Sequence, residues 1–379
     1  MNFANIGIPV TLLETSQEAL DRGLGIIRKN YERSLSRGRI TQAQLEQRMG
    51  CLSGSTEYTD LADVDLVIEA VFEDMSVKKS VFERLDKVVK KEAILATNTS
   101  FLDIAEIASA TSRPEKALGM HFFSPANVMR LLEVVKTDLT SAQTIAVAMD
   151  IGAKIGKLAV LVGNCDGFVG NRVVVQRKTQ GQALLLEGAM PWQVDKVLFD
   201  FGFPMGPFAM SDLAGLDIGW NAETSNGETI RDVLCEMDRR GQKTQAGYYD
   251  YDEKRQSSPS PLVESTIKQF WQAHNLSPRD ISDEEILQRC VYPMINEACK
   301  ILEEGIAMRA SDIDAILVHG YGFPRYHGGI CFYADELGLD NVLAVMEKLN
   351  QQLGDTMQPA NLLEKLAAEN GKLSKYSNL

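Results

Sequence analysis

Histidine is scarce in this chain, with four in 379 residues. Cysteine is scarce too: the six (Cys51, Cys165, Cys235, Cys290, Cys299, Cys331) stand singly, with no C-x-x-C pair. Nothing has the spacing of a zinc site, so no metal is expected, and a disulfide scaffold is not expected at this length. The thiols read as reduced, in a cytosol-like compartment. No apolar run approaches the roughly 18 residues of a membrane-spanning helix. The opening MNFANIGIPV lacks the basic and long apolar stretches of a signal peptide. Positive charge is in deficit, 39 Lys and Arg against 52 Asp and Glu, for a net charge of −13. Such a balance argues against nucleic-acid binding, and any anionic substrate must be held by a few Lys or helix N-termini. The final tripeptide, Ser377-Asn378-Leu379, differs from the peroxisomal S-K-L in its middle residue. The expected location is therefore cytoplasmic, with peroxisomal as the alternative.

With 45% apolar and 24% charged residues the chain is globular, and its length predicts two or three domains. The first half alternates strands and helices. PVTLLE (9–14) reads as a strand ending on a carboxylate, and Thr15 and Glu18 have capping-box spacing for the helix that follows. DVDLVIEAV (63–71) reads as a strand covered on both faces, followed by a charged helix over 74–91. AILAT (93–97), residues 117–122, 131–135 and 158–162 supply further strands, and residues 104–110 and 141–156 supply helices. This alternation predicts a parallel doubly wound sheet. After Gly163 helical patterns dominate, and a motif recurs: GFPMGPFAMSDLAGLD from Gly202 and GFPRYHGGICFYADELGLD from Gly322, 120 residues on. Glu-Gly steps precede both (Glu187-Gly188, Glu304-Gly305), as do Asp195 and Asp314. A duplicated helical unit is implied, with QSSPSP (256–261) as the linker. The predicted domains are 1–163, 164–256 and 257–379.

The beginning departs from a Rossmann-type domain, which runs strand, glycine-rich loop, helix, and then a strand ending on an acid that binds ribose. Glu14 sits at that acid, and no G-x-G-x-x-G precedes it. The fold class is thus a Rossmann-like α/β domain with its first strand and glycine loop missing, followed by an all-α duplicated domain. Removing about five buried aliphatic side chains withdraws on the order of 10 kcal/mol, comparable with a whole domain's stability. The domain is therefore expected to be marginal or to close the gap by an unusual pairing. NAD affinity is expected to fall with loss of the helix N-terminus that holds pyrophosphate.

Four groups of residues could carry chemistry. His121, in GMHFFSP, ends one strand, and Glu133, in LLEVV, lies in the next. A His with a carboxylate partner suits a general base; the plain alternative is a core histidine beside a chance acid. Asn98-Thr99-Ser100 follows another strand and can either reach the same crevice or cap a helix. Asn171, in NCDGFVGNR, offers an amide for a substrate oxygen or a loop cap. Glu73 and Lys78 follow DLVIEAV, where a Lys one turn into a helix can attract phosphate or ribose or simply face solvent.

Together DLVIEAVFEDMSVKK, ATNTSFLDIAEIA, GMHFFSPANVMRLLEVV, LVGNCDGFVGNRVV, GFPMGPFAMSDLAGLD and GQKTQAGYYDYD resemble the 3-hydroxyacyl-CoA dehydrogenase family. The duplicated C-terminal unit is similar to the dehydrogenase part of multifunctional β-oxidation enzymes. The resemblance implies NAD-dependent oxidation of (S)-3-hydroxyacyl-CoA to 3-ketoacyl-CoA. It implies His121 as base and Glu133 as its orienting partner. Ser100, Asn171 and Tyr333 would contact substrate. Glu14, Val71, Phe72, Glu73, Lys78, Ser100 and Lys243 would contact cofactor. It also implies a monomer or homodimer. The family's usual Gly-x-Gly is Gln245-Ala246-Gly247 here, so the local turn is expected to differ. A non-catalytic remnant, associating through the helical half without NAD, is the second reading.

Overall fold

The structure, a computed structural model, describes residues 1–378. It divides into an α/β unit, Met1–Val169 with Gly305–Met308, and a helical unit, Gly170–Glu304 with Arg309–Leu379.

In the α/β unit the strands are β1 (Val10–Leu13), β2 (Leu52–Ser55), β3 (Leu66–Glu69), β4 (Ile94–Thr97), β5 (Ala117–Phe122), β6 (Leu131–Lys136) and β7 (Leu158–Gly163). The helices are α1 (Gln17–Ser36), α2 (Gln42–Gly50), α3 (Met75–Val88), α4 (Ile104–Ala108) and α5 (Ala142–Lys154). The sheet is in two pieces: β1 and β2 pair in parallel, and β3-β4-β5-β6-β7 form a second sheet. Among the described residues no strand pairing joins them. The main chain of Val10 and Glu14 bonds toward β2 and that of Asp65 and Glu69 toward β4. Alternation therefore leaves the main-chain groups of Thr11 and Leu13, and of Leu66 and Ile68, on the other edges. The burial agrees. β4 is buried throughout, whereas β1 and most of β3 are half-buried.

The sheet is not wholly parallel as expected. β6 runs antiparallel to β5, because eight residues join them and a parallel crossover needs a dozen or more. Two apolar clusters flank the sheet. One gathers Phe82, Leu85 and Val89 of the α3 region with Leu95 and Ile107. The other gathers Leu118, Met120, Leu132 and Val134 with Ala148 of α5. Ser16 rather than Thr15 caps α1, its hydroxyl accepting from the Ala19 N–H.

The helical unit contains α6 (Gly170–Glu187), α7 (Pro191–Phe201), α8 (Pro207–Ala214), α9 (Ile230–Glu236), α10 (Pro261–Ala273), α11 (Asp283–Glu303), α12 (Ala310–Gly320), α13 (Ile330–Leu337), α14 (Leu339–Leu353) and α15 (Asn361–Ala368). Helices α6 to α8 and α11 to α13 are the two copies of the repeat. Their GFP motifs meet reciprocally: a Cβ on Gly202 would lie 3.0 Å from Pro324, and one on Gly322 would lie 2.7 Å from Pro204. Within each copy an aspartate caps the next helix. Asp195 accepts from the Phe208 and Ala209 N–H groups at 3.1 and 2.8 Å, and Asp314 from the Cys331 N–H at 2.7 Å. Gly206 and Gly329 leave room for these carboxyls, where a Cβ would fall within 2.3 Å of Asp195 or Asp314. The expected linker is partly ordered as a strand: β8 (Tyr249–Tyr251) pairs antiparallel with β9 (Ser257–Pro259).

Candidate active site

The antiparallel β5–β6 register sets His121 directly opposite Glu133, which puts both side chains on one face of the sheet. The His121 Nδ1 and Glu133 Oε2 are 2.8 Å apart. Both side chains are withdrawn from water, at 5% and 0% residue exposure. With a carboxylate as acceptor the ring proton sits on Nδ1 and donates to Glu133, leaving the Nε2 lone pair available. Aromatic rings hold the imidazole: Phe123 lies 4.5 Å away between centroids and Phe168 5.7 Å. Phe168 is fully buried with φ 52°, a left-handed conformation that bulky residues rarely adopt and that collects at functional sites. The loop carrying it is anchored by Asn164, whose Nδ2 donates to Asp103 at 2.6 Å and whose Oδ1 accepts from the Ile104 N–H.

The end of β4 lies beside these strands. Asn98 Oδ1 accepts from the Phe122 N–H at 2.7 Å, tying β4 to the residue after His121. Glu73 Oε1 accepts from the Thr99 hydroxyl at 2.6 Å and from the Ser100 and Phe101 N–H groups at 2.8 and 3.2 Å. Burial opposes ionisation of Glu73. The Thr99 hydroxyl, these N–H groups and Lys78 outweigh it and hold the carboxyl below the usual range. Lys78 points inward, its side chain 1% exposed, with Nζ 2.8 Å from Glu69 and 3.5 Å from Glu73. It does not present a free charge to solvent as a phosphate-seeking lysine does; it braces the turn between β3 and α3. Glu69, which sequence reasoning missed, completes the brace, accepting from the Val71 N–H at 2.7 Å and the Thr97 hydroxyl at 2.8 Å. An acid inside the otherwise apolar run DLVIEAV was the available signal. Phe168 carried none, since a backbone angle is not readable from residue type. On this brace Val71 and Phe72 stand exposed, Phe72 at 86%.

Glu14 is exposed just beyond β1. In the helical unit Asn171 is the second residue of α6, and Tyr333 lies in α13 with its ring 5.3 Å from Phe201 and 4.6 Å from His327. Lys243 pairs with Asp217 at 2.5 Å. The turn after Lys243 keeps a left-handed residue, Gln245 at φ 57°.

The family described as 3-hydroxyacyl-CoA dehydrogenase, NAD binding domain, matches residues 1–165, and its C-terminal domain matches residues 167–251 and 286–378. The chain belongs to the 3-hydroxyacyl-CoA dehydrogenase family. It is 44% identical over its whole length to the peroxisomal bifunctional enzyme of Cavia porcellus and spans 56% of that protein. Thus it covers little more than half of the curated relatives it matches. Among solved structures, Escherichia coli 3-hydroxybutyryl-CoA dehydrogenase superposes with a TM-score of 0.81 at 26% identity, covering 97% of this chain and 95% of that one. The dehydrogenase part of multifunctional enzyme 1 from C. elegans gives 0.67 at 31% identity, covering 96% and 85%. The α/β unit of this family member accordingly corresponds to the family's NAD-binding domain. Its residues suit both ends of the cofactor: the exposed carboxylate of Glu14 beyond β1 suits a ribose, and the braced, exposed Val71-Phe72-Glu73 turn suits a nicotinamide.

Proposed function

We propose that this chain oxidises (S)-3-hydroxyacyl-CoA to 3-ketoacyl-CoA in fatty-acid β-oxidation. The supporting observation is the buried His121–Glu133 pair at 2.8 Å. His121 Nε2 takes the proton of the 3-hydroxyl as the C3–O bond becomes a carbonyl. Glu133 keeps the imidazole in the required tautomer and stabilises its protonated form. Phe123 and Phe168 limit water around the ring. Ser100, Asn171 and Tyr333 are assigned to substrate. NAD, when bound, would supply the acceptor for the hydride that leaves C3; Glu14 would hold its ribose, Val71, Phe72, Glu73 and Ser100 would line its nicotinamide side, Lys78 would act through Glu73, and Lys243 would approach it. The peroxisomal and glyoxysomal names of the relatives support a peroxisomal location, in place of the cytoplasmic one expected from composition. Among the described residues no helix is long and apolar enough to cross a membrane.

The two-piece sheet favours one competing reading, a protein that binds acyl-CoA without turnover. Assaying NADH consumption with acetoacetyl-CoA separates the two. Turnover abolished by His121→Gln supports the dehydrogenase; acetoacetyl-CoA binding with no NADH consumed supports the alternative.

A further inference from the structure

Lys157 follows the turn that ends α5. Gly156 takes the left-handed conformation there, φ 78°, and the Gly156 and Lys157 N–H groups donate back to the Ala153 and Gly152 carbonyls at 3.0 and 2.9 Å. The Lys157 side chain then crosses to the loop between β5 and β6. Its Nζ donates to the carbonyls of Ala126 and Met129, each at 2.5 Å, and lies 5.9 Å from the centre of the Phe122 ring. The ammonium is half-buried, and burial pulls its pKa below the ordinary lysine value. Asn2 adds an exposed bond to the same Ala126 carbonyl at 3.1 Å.

That loop joins the strand of His121 to the strand of Glu133. It opens with Phe123, whose ring lies 4.5 Å from the imidazole. It then makes a single turn, in which the Pro125 carbonyl accepts from the Val128 and Met129 N–H groups at 2.9 and 3.0 Å. Asn98 holds the Phe122 N–H at one end of the loop, and the Leu158 N–H holds the Arg130 carbonyl at the other. Between these ends one cation binds two carbonyls of the turn, as a basic residue does at the C-terminus of a helix. We propose that Lys157 is a positioning residue: by fixing this loop it keeps the Phe123 ring against the His121 imidazole. Its use in turnover rests on the reading of His121 as the general base.

Lys157→Met tests it, because it removes the charge and keeps an unbranched side chain, while Lys157→Arg restores a cation able to serve two carbonyls. In protein isotope-labelled at histidine Cε1, the His121 signal is assigned by its loss in His121→Gln, and it carries the ring-current shift of Phe123. This signal is expected to move in Lys157→Met and to return towards the parent position in Lys157→Arg. In turnover, Lys157→Met should lower kcat about tenfold, the cost of a displaced catalytic group. KM should stay within about twofold, since the imidazole acts on the proton in transit rather than in holding substrate. Lys157→Arg should recover most of the loss, and Lys157→Gln, with a neutral donor, should fall between the two. A lysine that only stabilises the fold would lower the melting temperature without moving the signal or parting kcat from KM. An unmoved signal in Lys157→Met would overturn the proposal, as would a moved signal with unchanged kcat. If the signal moves but the unaltered chain consumes no NADH, the clamp on the imidazole stands and the dehydrogenase reading falls.

Discussion

His121 and Glu133 are twelve residues apart in sequence and are set opposite each other by a strand register; in the proposed reaction they act as one acid–base unit. Removing either group tests different halves of that unit. His121→Gln is expected to lower kcat by about a hundredfold or more. Glu133→Gln should lower it by at least about tenfold, since the imidazolium then lacks a counter-charge. Circular dichroism of both variants should match the parent. Asp195 and Asp314 make a second statement at this scale. Burial is the largest influence on each, and despite the N–H groups they accept, their carboxyls are pushed up to about 6. The folded chain therefore holds more protons than the unfolded chain between the ordinary aspartate range and pH 6, so these groups contribute stability that declines as pH rises through that window. Urea unfolding at pH 4.5 and 7.5 checks this: a variant carrying both Asp195→Asn and Asp314→Asn should lose that part of the pH slope. The His121–Glu133 pair was legible in sequence because catalytic groups collect at strand ends and both sit on strongly apolar strands. The inward turn of Lys78 was not. Its position in the helix suits either face, and only the distant acid Glu69 decides which.

At the level of elements, the long apolar strands and amphipathic helices could be read from residue patterns, while α2 and β2 could not. QAQLEQRMG carries one buried residue, Leu45, and LSGS has no alternating apolar face. Such segments take their form from their neighbours. The α1 cap shows the same limit in miniature, since Thr15 and Ser16 are both hydroxyl residues and only the backbone path selects Ser16. Ser16→Ala should accordingly cost about 1 kcal/mol in unfolding free energy and Thr15→Ala close to nothing. The turn at Gln245 gives the opposite sign. A left-handed glutamine stands where glycine is at ease, so Gln245→Gly is expected to raise unfolding free energy by up to about 1 kcal/mol. Chemical denaturation measures both.

For the whole molecule, the repeat was plain in the sequence because two copies of one motif share an offset. The reciprocal seating of each glycine against the other copy's proline was not plain, because it depends on the two copies facing each other. The division of the sheet bears on cofactor affinity. The pyrophosphate of a dinucleotide is ordinarily held at the loop after the strand between β1 and β3, and among the described residues no strand pairs with the facing edges of β1 and β3. Titration calorimetry with NAD is expected to show binding weaker than micromolar; a micromolar constant would mean that other groups hold the phosphates. The same edges have a practical side. Strand edges with no partner strand, flanked by half-buried aliphatic side chains, offer any neighbouring molecule a template for strand addition. Concentrated solutions of this protein should grow turbid sooner on warming than dilute ones, and the aggregates should recruit the α/β unit first.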